Sequence, residues 1–486
     1  MPHPERAHRW RQRPLIAAQA GLATTLLALA TLTGPVGRAT ASLAQPSDAP
    51  APARADSTFR QRLSQRELPA NDYWARLRAL LVRAAERNEP LTPFDVLGLV
   101  GQLGTQTGVA EGSEALEGLP ALGQQTQDAT AAVERQYRRE RTQSPPLERG
   151  QLPPAREQGS SQFERRTLAL ADSDRQRSFP TTLYLPQRRQ REAPLVVLSH
   201  GLGADRASFA YLAQHLASYG FAVAALEHPG SNSAWLESLL NGDREAAIKP
   251  GEALERPRDV TFLLDRLARD YGQRIDTQRV GVVGHSFGGY TALALTEAKL
   301  NFEQLERRCR GLGRTLNISL LLQCQLQQLP QQDYGLQDER IAAVVVVNPF
   351  ASAVFGESQL QQLETPTLIV SSTEDTITPA LAEQIRPFSW LSGDDRYLAL
   401  MQGATHFSVL PGVDLPRSRQ RSQPEAPARQ YLKSLTTAFL RARVAGDGDY
   451  RDLMSARYAQ RLRQPAMPLF VVRSLERAAI APEGGD

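Results

Sequence analysis

Beyond residue 162, short apolar runs rich in Val, Ile and Leu alternate with longer amphipathic stretches. The runs fall at residues 181–185, 195–198, 221–226, 280–283, 341–347, 367–370 and 397–401. Runs this short and continuous suit strands buried on both faces of a mostly parallel sheet; a strand with one wet face would alternate instead. Residues 208–219, 258–271 and 290–300, lying between the runs, carry the spacing of helices. The expected fold is therefore α/β: repeated βαβ units building an open, mostly parallel sheet flanked by helices. A helix over 428–445 and the segment 450–475 are expected either to pack on this core or to offer a partner surface.

Upstream of that boundary the pattern differs. Arg6, Arg9, Arg11 and Arg13 precede an uncharged apolar run over 15–32, and small residues follow at Ala39, Thr40, Ala41 and Ala44. That order predicts a secretory signal peptide over 1–41, cleaved after Ala41 or Ala44. The run approaches the roughly 18 apolar residues needed to span a bilayer, so an N-terminal membrane anchor is the alternative. A Pro/Ala/Ser-rich linker follows over 42–56, then a helical prefix over 57–141, with Trp74, Leu77, Leu80, Leu81 and Ala84 on one helical face. A Pro-, Gln- and Gly-bearing linker over 142–162 leads into a catalytic domain over 163–486.

With 486 residues, 41% of them hydrophobic, the chain has material for one large core with appendages. The net charge of +4 leaves room for peripheral contact with an anionic membrane surface. Its arginines are scattered rather than gathered into a stripe, so no nucleic-acid partner is expected. The two cysteines, Cys309 and Cys324, lie close together in one segment. In an exported protein a disulfide is the natural reading, and two buried free thiols are the alternative. Neither has a histidine nearby, which argues against a metal site.

Gly284-His285-Ser286-Phe287-Gly288-Gly289 sits where a strand gives way to a helix. This is the context of a nucleophile elbow, a strained turn whose glycines let strand and helix backbones approach. Ser286 is the candidate nucleophile. Such sites take their partners in the order Ser, Asp or Glu, His. Of seven histidines only His406 follows Ser286, just beyond the last expected strand, and it is the candidate general base. Asp375, past the end of the run 367–370, is the candidate acid, with Glu374 the alternative. Asn348 follows the neighbouring strand, but a neutral amide cannot stabilise an imidazolium. The backbone N–H groups of Phe287 and Leu202 are the candidate oxyanion donors, Leu202 lying in the turn after the run 195–198.

Ser199-His200-Gly201-Leu202-Gly203, the run from Leu216 through Gly220-Phe221 to Glu227-His228, Arg256-Pro257-Arg258-Asp259 and the elbow together resemble the plasma-type platelet-activating-factor acetylhydrolases. They are also similar to bacterial α/β-hydrolases of dienelactone-hydrolase-like type. The resemblance covers about residues 195–291. It implies an α/β-hydrolase fold that hydrolyses a short or oxidised acyl chain from a phospholipid without metal, calcium or other cofactor. In that family the triad acid follows the strand after the elbow, where this chain has Asn348. The stretch from roughly 300 to 338, holding both cysteines, is expected to be an insertion able to cover the site, with residues 235–240 a second cover. The leading expectation is a serine esterase acting on a small-molecule or lipid ester. The alternatives are a dienelactone-type or peptide-cleaving hydrolase, and a non-catalytic binding protein on the same fold.

Overall fold

The computed structural model describes residues 119–147, 155–187, 192–240, 249–310, 317–411 and 426–480. The expected signal peptide, the linker 42–56 and the prefix up to residue 118 lie outside the described residues. Nine strands are described: β1 (Phe163–Asp172), β2 (Arg177–Pro186), β3 (Ala193–Ser199), β4 (Ala222–Leu226), β5 (Ile275–His285), β6 (Ile341–Val347), β7 (Thr367–Ser372), β8 (Arg396–Met401) and β9 (Leu469–Val472). They form one sheet in the order β1-β2-β4-β3-β5-β6-β7-β8-β9.

Strands β4, β3, β5, β6, β7 and β8 pair in parallel, while β1, β2 and β9 join antiparallel at the two edges. The parallel strands are the continuous apolar runs; all five residues of β4 are buried, as are six of the seven in β6. Burying a valine or leucine in such a strand contributes about 1.5–3 kcal/mol, which is why covered strands lose their alternation. The chain leaves β3 toward β4 on one side and returns to β5 on the other. The crevice beyond the C-terminal ends of β3 and β5 is thus the switch point where open α/β sheets bind ligands.

Helices cover the sheet: α1 (Leu119–Gln143), α2 (Ala210–Ser218), α3 (Ser233–Leu240), α4 (Glu252–Tyr271), α5 (Phe287–Ala294), α6 (Phe302–Cys309), α7 (Ser319–Gln323) and α8 (Pro427–Arg443). Helix α1 comes from the segment expected to be a separate prefix, yet Ala129, Ala132, Val133 and Tyr137 are buried in the common core. Tyr137 meets Phe470 of β9 edge-on, with ring centroids 5.4 Å apart. Helix α8 occupies the expected C-terminal position and packs inward, burying Tyr431, Leu432, Leu435 and Phe439.

The 300–338 segment carries α6 and α7, joined by a disulfide between Cys309 and Cys324. Asn317 and Gln323 of this segment donate to the buried carboxylate of Glu383, and Ser319 N–H donates to Ile377 O at 3.0 Å. Closing a loop with a sequence separation of 15 restricts the unfolded chain by about 3 kcal/mol. Replacing both cysteines by serine is therefore expected to lower the unfolding free energy by about that amount in urea denaturation. An unchanged midpoint would contradict this.

Candidate active site

Ser286 stands between β5 and α5 with φ 55° and ψ −116°, a conformation that disfavours side chains and marks stored backbone strain. The glycines around it are needed for space. A Cβ on Gly284 would lie 1.9 Å from Gly288 O, one on Gly288 would lie 2.0 Å from Ser199 O, and one on Gly289 would lie 2.8 Å from Pro349 Cβ. No side chain fits at the first two positions, where the opposing atoms are backbone. Ser286 N–H is anchored to Val347 O at 2.9 Å, which ties the elbow to β6.

His406 lies in the loop after β8, and its Nδ1 is 2.7 Å from Asp375 Oδ2. Asp375 extends from the end of β7, with its side chain fully buried. Its Oδ1 accepts from the N–H groups of Ile377 and Thr378 at 2.9 and 2.8 Å. The Thr378 hydroxyl lies 2.8 Å from Asp375 Oδ2 and 3.2 Å from His406 Nδ1. A carboxylate held this way orients the imidazole so that Nδ1 carries the proton and Nε2 is free to accept one.

The structure thus brings Asp375, rather than Glu374, to the imidazole. Asn348 plays a different part: its Nδ2 donates to His406 O at 3.2 Å, and its own φ is 46°. His285 Nε2 donates to the same carbonyl at 2.9 Å, and the His285 and His406 rings are 4.7 Å apart. The residue before the serine therefore holds the histidine loop against the elbow. No hydrogen bond joins Ser286 to the His406 ring among the described residues, and pairs of this kind commonly close only when a substrate is bound.

The turn after β3 faces the elbow: a Cβ on Gly201 would lie 3.4 Å from Ser286 Cβ. His200 Nε2 accepts from His228 N–H at 3.0 Å, so its Nδ1 carries the proton and donates to Gly201 O at 2.7 Å. Ala204 N–H donates to Gly201 O as well, at 3.3 Å. In a planar trans peptide the N–H of Leu202 points opposite to that pinned carbonyl. Phe287 is the first residue of α5, so its N–H has no partner one turn earlier in the helix. Phe287 follows Ser286 in the chain, and Leu202 follows the glycine whose Cβ would approach Ser286. Leu236 of α3 packs over the turn, its Cδ2 2.7 Å from where a Gly203 Cβ would stand, so α3 begins beside this turn.

His285, Thr378 and His200 were not among the residues singled out from sequence for the chemistry. Two of them stand inside motifs, His285 beside the serine and His200 before Gly201, and their hydrogen bonds to backbone groups leave no mark in the sequence. Thr378 carries no motif at all. Among the described residues no cluster of His, Cys, Asp and Glu is arranged to hold a metal ion, and no helix is long and apolar enough to cross a membrane.

A family model for the alpha/beta hydrolase family matches residues 196–481. The platelet-activating factor acetylhydrolase of Canis lupus familiaris is 32% identical over 156 residues, covering 24% of this chain and 35% of that protein. The protein of the same name from Bos taurus is 31% identical over 144 residues, covering 22% and 32%. Cutinase 1 of Thermobifida cellulosilytica is 25% identical over 235 residues, covering 47% of this chain and 65% of that protein. The chain thus spans about a third of the length of the acetylhydrolases it matches.

Burial keeps several histidines neutral. It pulls His285 down to about 3 and His215 of α2 down to about 4, and it pushes His200 and His228 well below the ordinary value. Between the lowered folded value and about 6.5, such a histidine binds its proton only in the unfolded chain. Its contribution to stability is complete above about 6.5 and is lost as pH falls through the folded value. His215 lies outside the site, so His215→Gln should reduce the slope of unfolding free energy against pH between 6.5 and about 4 by up to about 1.4 kcal/mol per unit. Urea denaturation at stepped pH measures this, and identical slopes would contradict it.

Proposed function

Because the chain belongs to the alpha/beta hydrolase family, matching it over residues 196–481, we propose that it is a serine esterase working through an acyl-enzyme on Ser286. The observation that carries this reading is the buried 2.7 Å contact between Asp375 and His406, with the His406 loop held to the elbow by His285. In the proposed reaction Ser286 Oγ attacks the ester carbonyl as His406 Nε2 takes its proton. The imidazolium is stabilised by Asp375, and the carbonyl oxygen, now negative, accepts from the N–H groups of Leu202 and Phe287. Collapse breaks the bond to the alcohol, which leaves with the proton from His406, and water then repeats the sequence on the acyl-enzyme.

Carboxylic esters are the proposed substrate class, with short-acyl phospholipids first among them. The names of the acetylhydrolases that match part of the chain support the phospholipid reading. The cutinases, similar over a longer stretch, support a broader ester range. The position of the acid favours the broader range: the resemblance led to the strand after the elbow, where this chain has Asn348 bonded to a loop carbonyl, while Asp375 beyond β7 meets the imidazole. A binding protein would need neither the strained serine nor the aligned acid and histidine. Export through the N-terminal segment belongs to the same proposal, supported by the disulfide, which persists in oxidising compartments.

The test compares the wild-type chain with Ser286→Ala and Asp375→Asn on p-nitrophenyl esters from acetate to laurate and on a short-acyl phospholipid. Ser286→Ala is expected to lower kcat by about 10⁶ and Asp375→Asn by about 10⁴, with Glu374→Gln close to wild type. The acyl-chain preference then separates lipid from general esterase. Equal rates in wild type and Ser286→Ala would overturn the assignment and favour a binding protein.

A further inference from the structure

Among the described residues the largest fully buried side chain is that of Arg256, on α4 behind the turn and the elbow. Its Nε donates to Thr291 Oγ1 at 3.0 Å and its Nη1 to Ser231 Oγ at 2.7 Å. Its Nη2 donates to His200 O and lies 3.3 Å from Ser199 Oγ. The guanidinium carbon stands 4.4 Å from the centroid of the Phe287 ring. Arg256 therefore touches the residue that precedes Gly201 on one side of Ser286 and the residue that follows Ser286 on the other.

Among the described residues no carboxylate forms an ion pair with this cation. Its acids are reached at one remove. Ser231 Oγ donates to Glu252 Oε1 at 2.7 Å. Ser199 Oγ is 3.0 Å from His228 Nε2, and His228 Nδ1 is 3.0 Å from Asp259 Oδ2, which also receives Arg177. Ser199, His228 and Asp259 have the spacing of a second triad, but all three are buried and Ser199 Oγ faces Arg256, so no substrate reaches them. The relay has one direction: Arg256 donates to Ser199, Ser199 to His228, and His228 to Asp259.

The helix that carries Arg256 is fastened at the same level. Pro257 has no N–H, which leaves the carbonyl of Ala253 without its helical partner. Tyr290 of α5 donates its hydroxyl to that carbonyl at 3.2 Å. Burial draws the guanidinium down to about 9, which still leaves it charged at neutral pH. A buried cation without a contact counter-ion is a costly arrangement, and one arm of its donor fork is directed at the backbone carbonyl beside the elbow.

We infer that Arg256 is a positioning residue that aligns the two oxyanion donors, gripping the carbonyl of His200 and the ring of Phe287 while its acids stay one residue removed. The inference rests on the esterase reading. With His200 O held by Arg256 and Gly201 O held by His200, two successive carbonyls of the turn are fixed, and the Leu202 N–H, opposite the second within its peptide, is fixed with them. The positive charge behind the donors favours the oxyanion over the neutral ester.

The test uses the full chain as wild type, Ser286→Ala, Arg256→Met and Arg256→Lys, measuring kcat, KM, melting temperature and inhibition by an alkylboronic acid, whose tetrahedral adduct imitates the oxyanion. Arg256→Met is expected to lower kcat by about 10²–10³ with KM little changed, and boronate affinity should fall in step with kcat. Arg256→Lys, which keeps the charge and one donor, should recover part of both. Unchanged kcat in a folded Arg256→Met protein, or a loss of kcat with boronate affinity intact, would overturn the inference. If Arg256→Met fails to fold, Arg256→Lys decides: a parallel fall in kcat and boronate affinity upholds it and wild-type values overturn it. If Ser286→Ala is as active as wild type, the esterase reading fails and this inference falls with it; an inactive Ser286→Ala beside an unimpaired Arg256→Met overturns the inference alone.

Discussion

Three backbones meet around Ser286: the end of β3, the end of β5 and the first turn of α5. Their separation leaves no room for a Cβ at Gly284 or Gly288, and the serine between them is held at a positive φ of 55°. The same approach brings the turn after β3 against the elbow, so the two expected oxyanion donors are set by the packing of the sheet rather than by a flexible loop. The switch in strand order at β3 opens a crevice, and the glycines allow the chain to fill it with reactive groups.

The opposite wall of the crevice is held by hydrogen bonds. The His406 loop is fixed twice, through its carbonyl by His285 and Asn348 and through its ring by Asp375. Asp375 is in turn set by two backbone N–H groups and Thr378, and its loop is braced by the disulfide-bearing segment through Ile377. A histidine restrained at both ends loses little freedom when a reaction begins, which is the physical content of preorganisation. Neutral His285 and His200 serve as fixed donors in this scaffold because burial prevents their protonation.

The central strands were legible from their unbroken apolar runs, and the elbow from glycines that no other residue can replace. The single histidine after the serine was legible for the same reason of scarcity. Strand β1 was not, because it is an edge strand with Arg165, Arg166 and Thr167 exposed, and its buried face is short, formed by partly buried Leu168 with Leu170 and Asp172. Strand β9 has four residues, too few to show a period. Helix α1 buries mostly small residues, Ala129, Ala132 and Val133, within a stretch dominated by Gln and Arg, so its attachment to the core leaves a faint sequence trace. Arg256 stands in a motif that carries the resemblance, but its burial was not legible, because an arginine is ordinarily taken as surface. Its burial follows from hydroxyls and a carbonyl supplied by three other segments, which only the folded chain brings together.

The central claim is that Ser286 is the activated nucleophile of this crevice, and covalent labelling tests it most directly. The protein would be treated with a fluorophosphonate, digested and examined by mass spectrometry, with an acid-unfolded sample as control. The account predicts a single stoichiometric adduct on the peptide containing Ser286, formed by the folded protein and absent from the unfolded one. No adduct on the folded protein, or an adduct on a different serine, would contradict it.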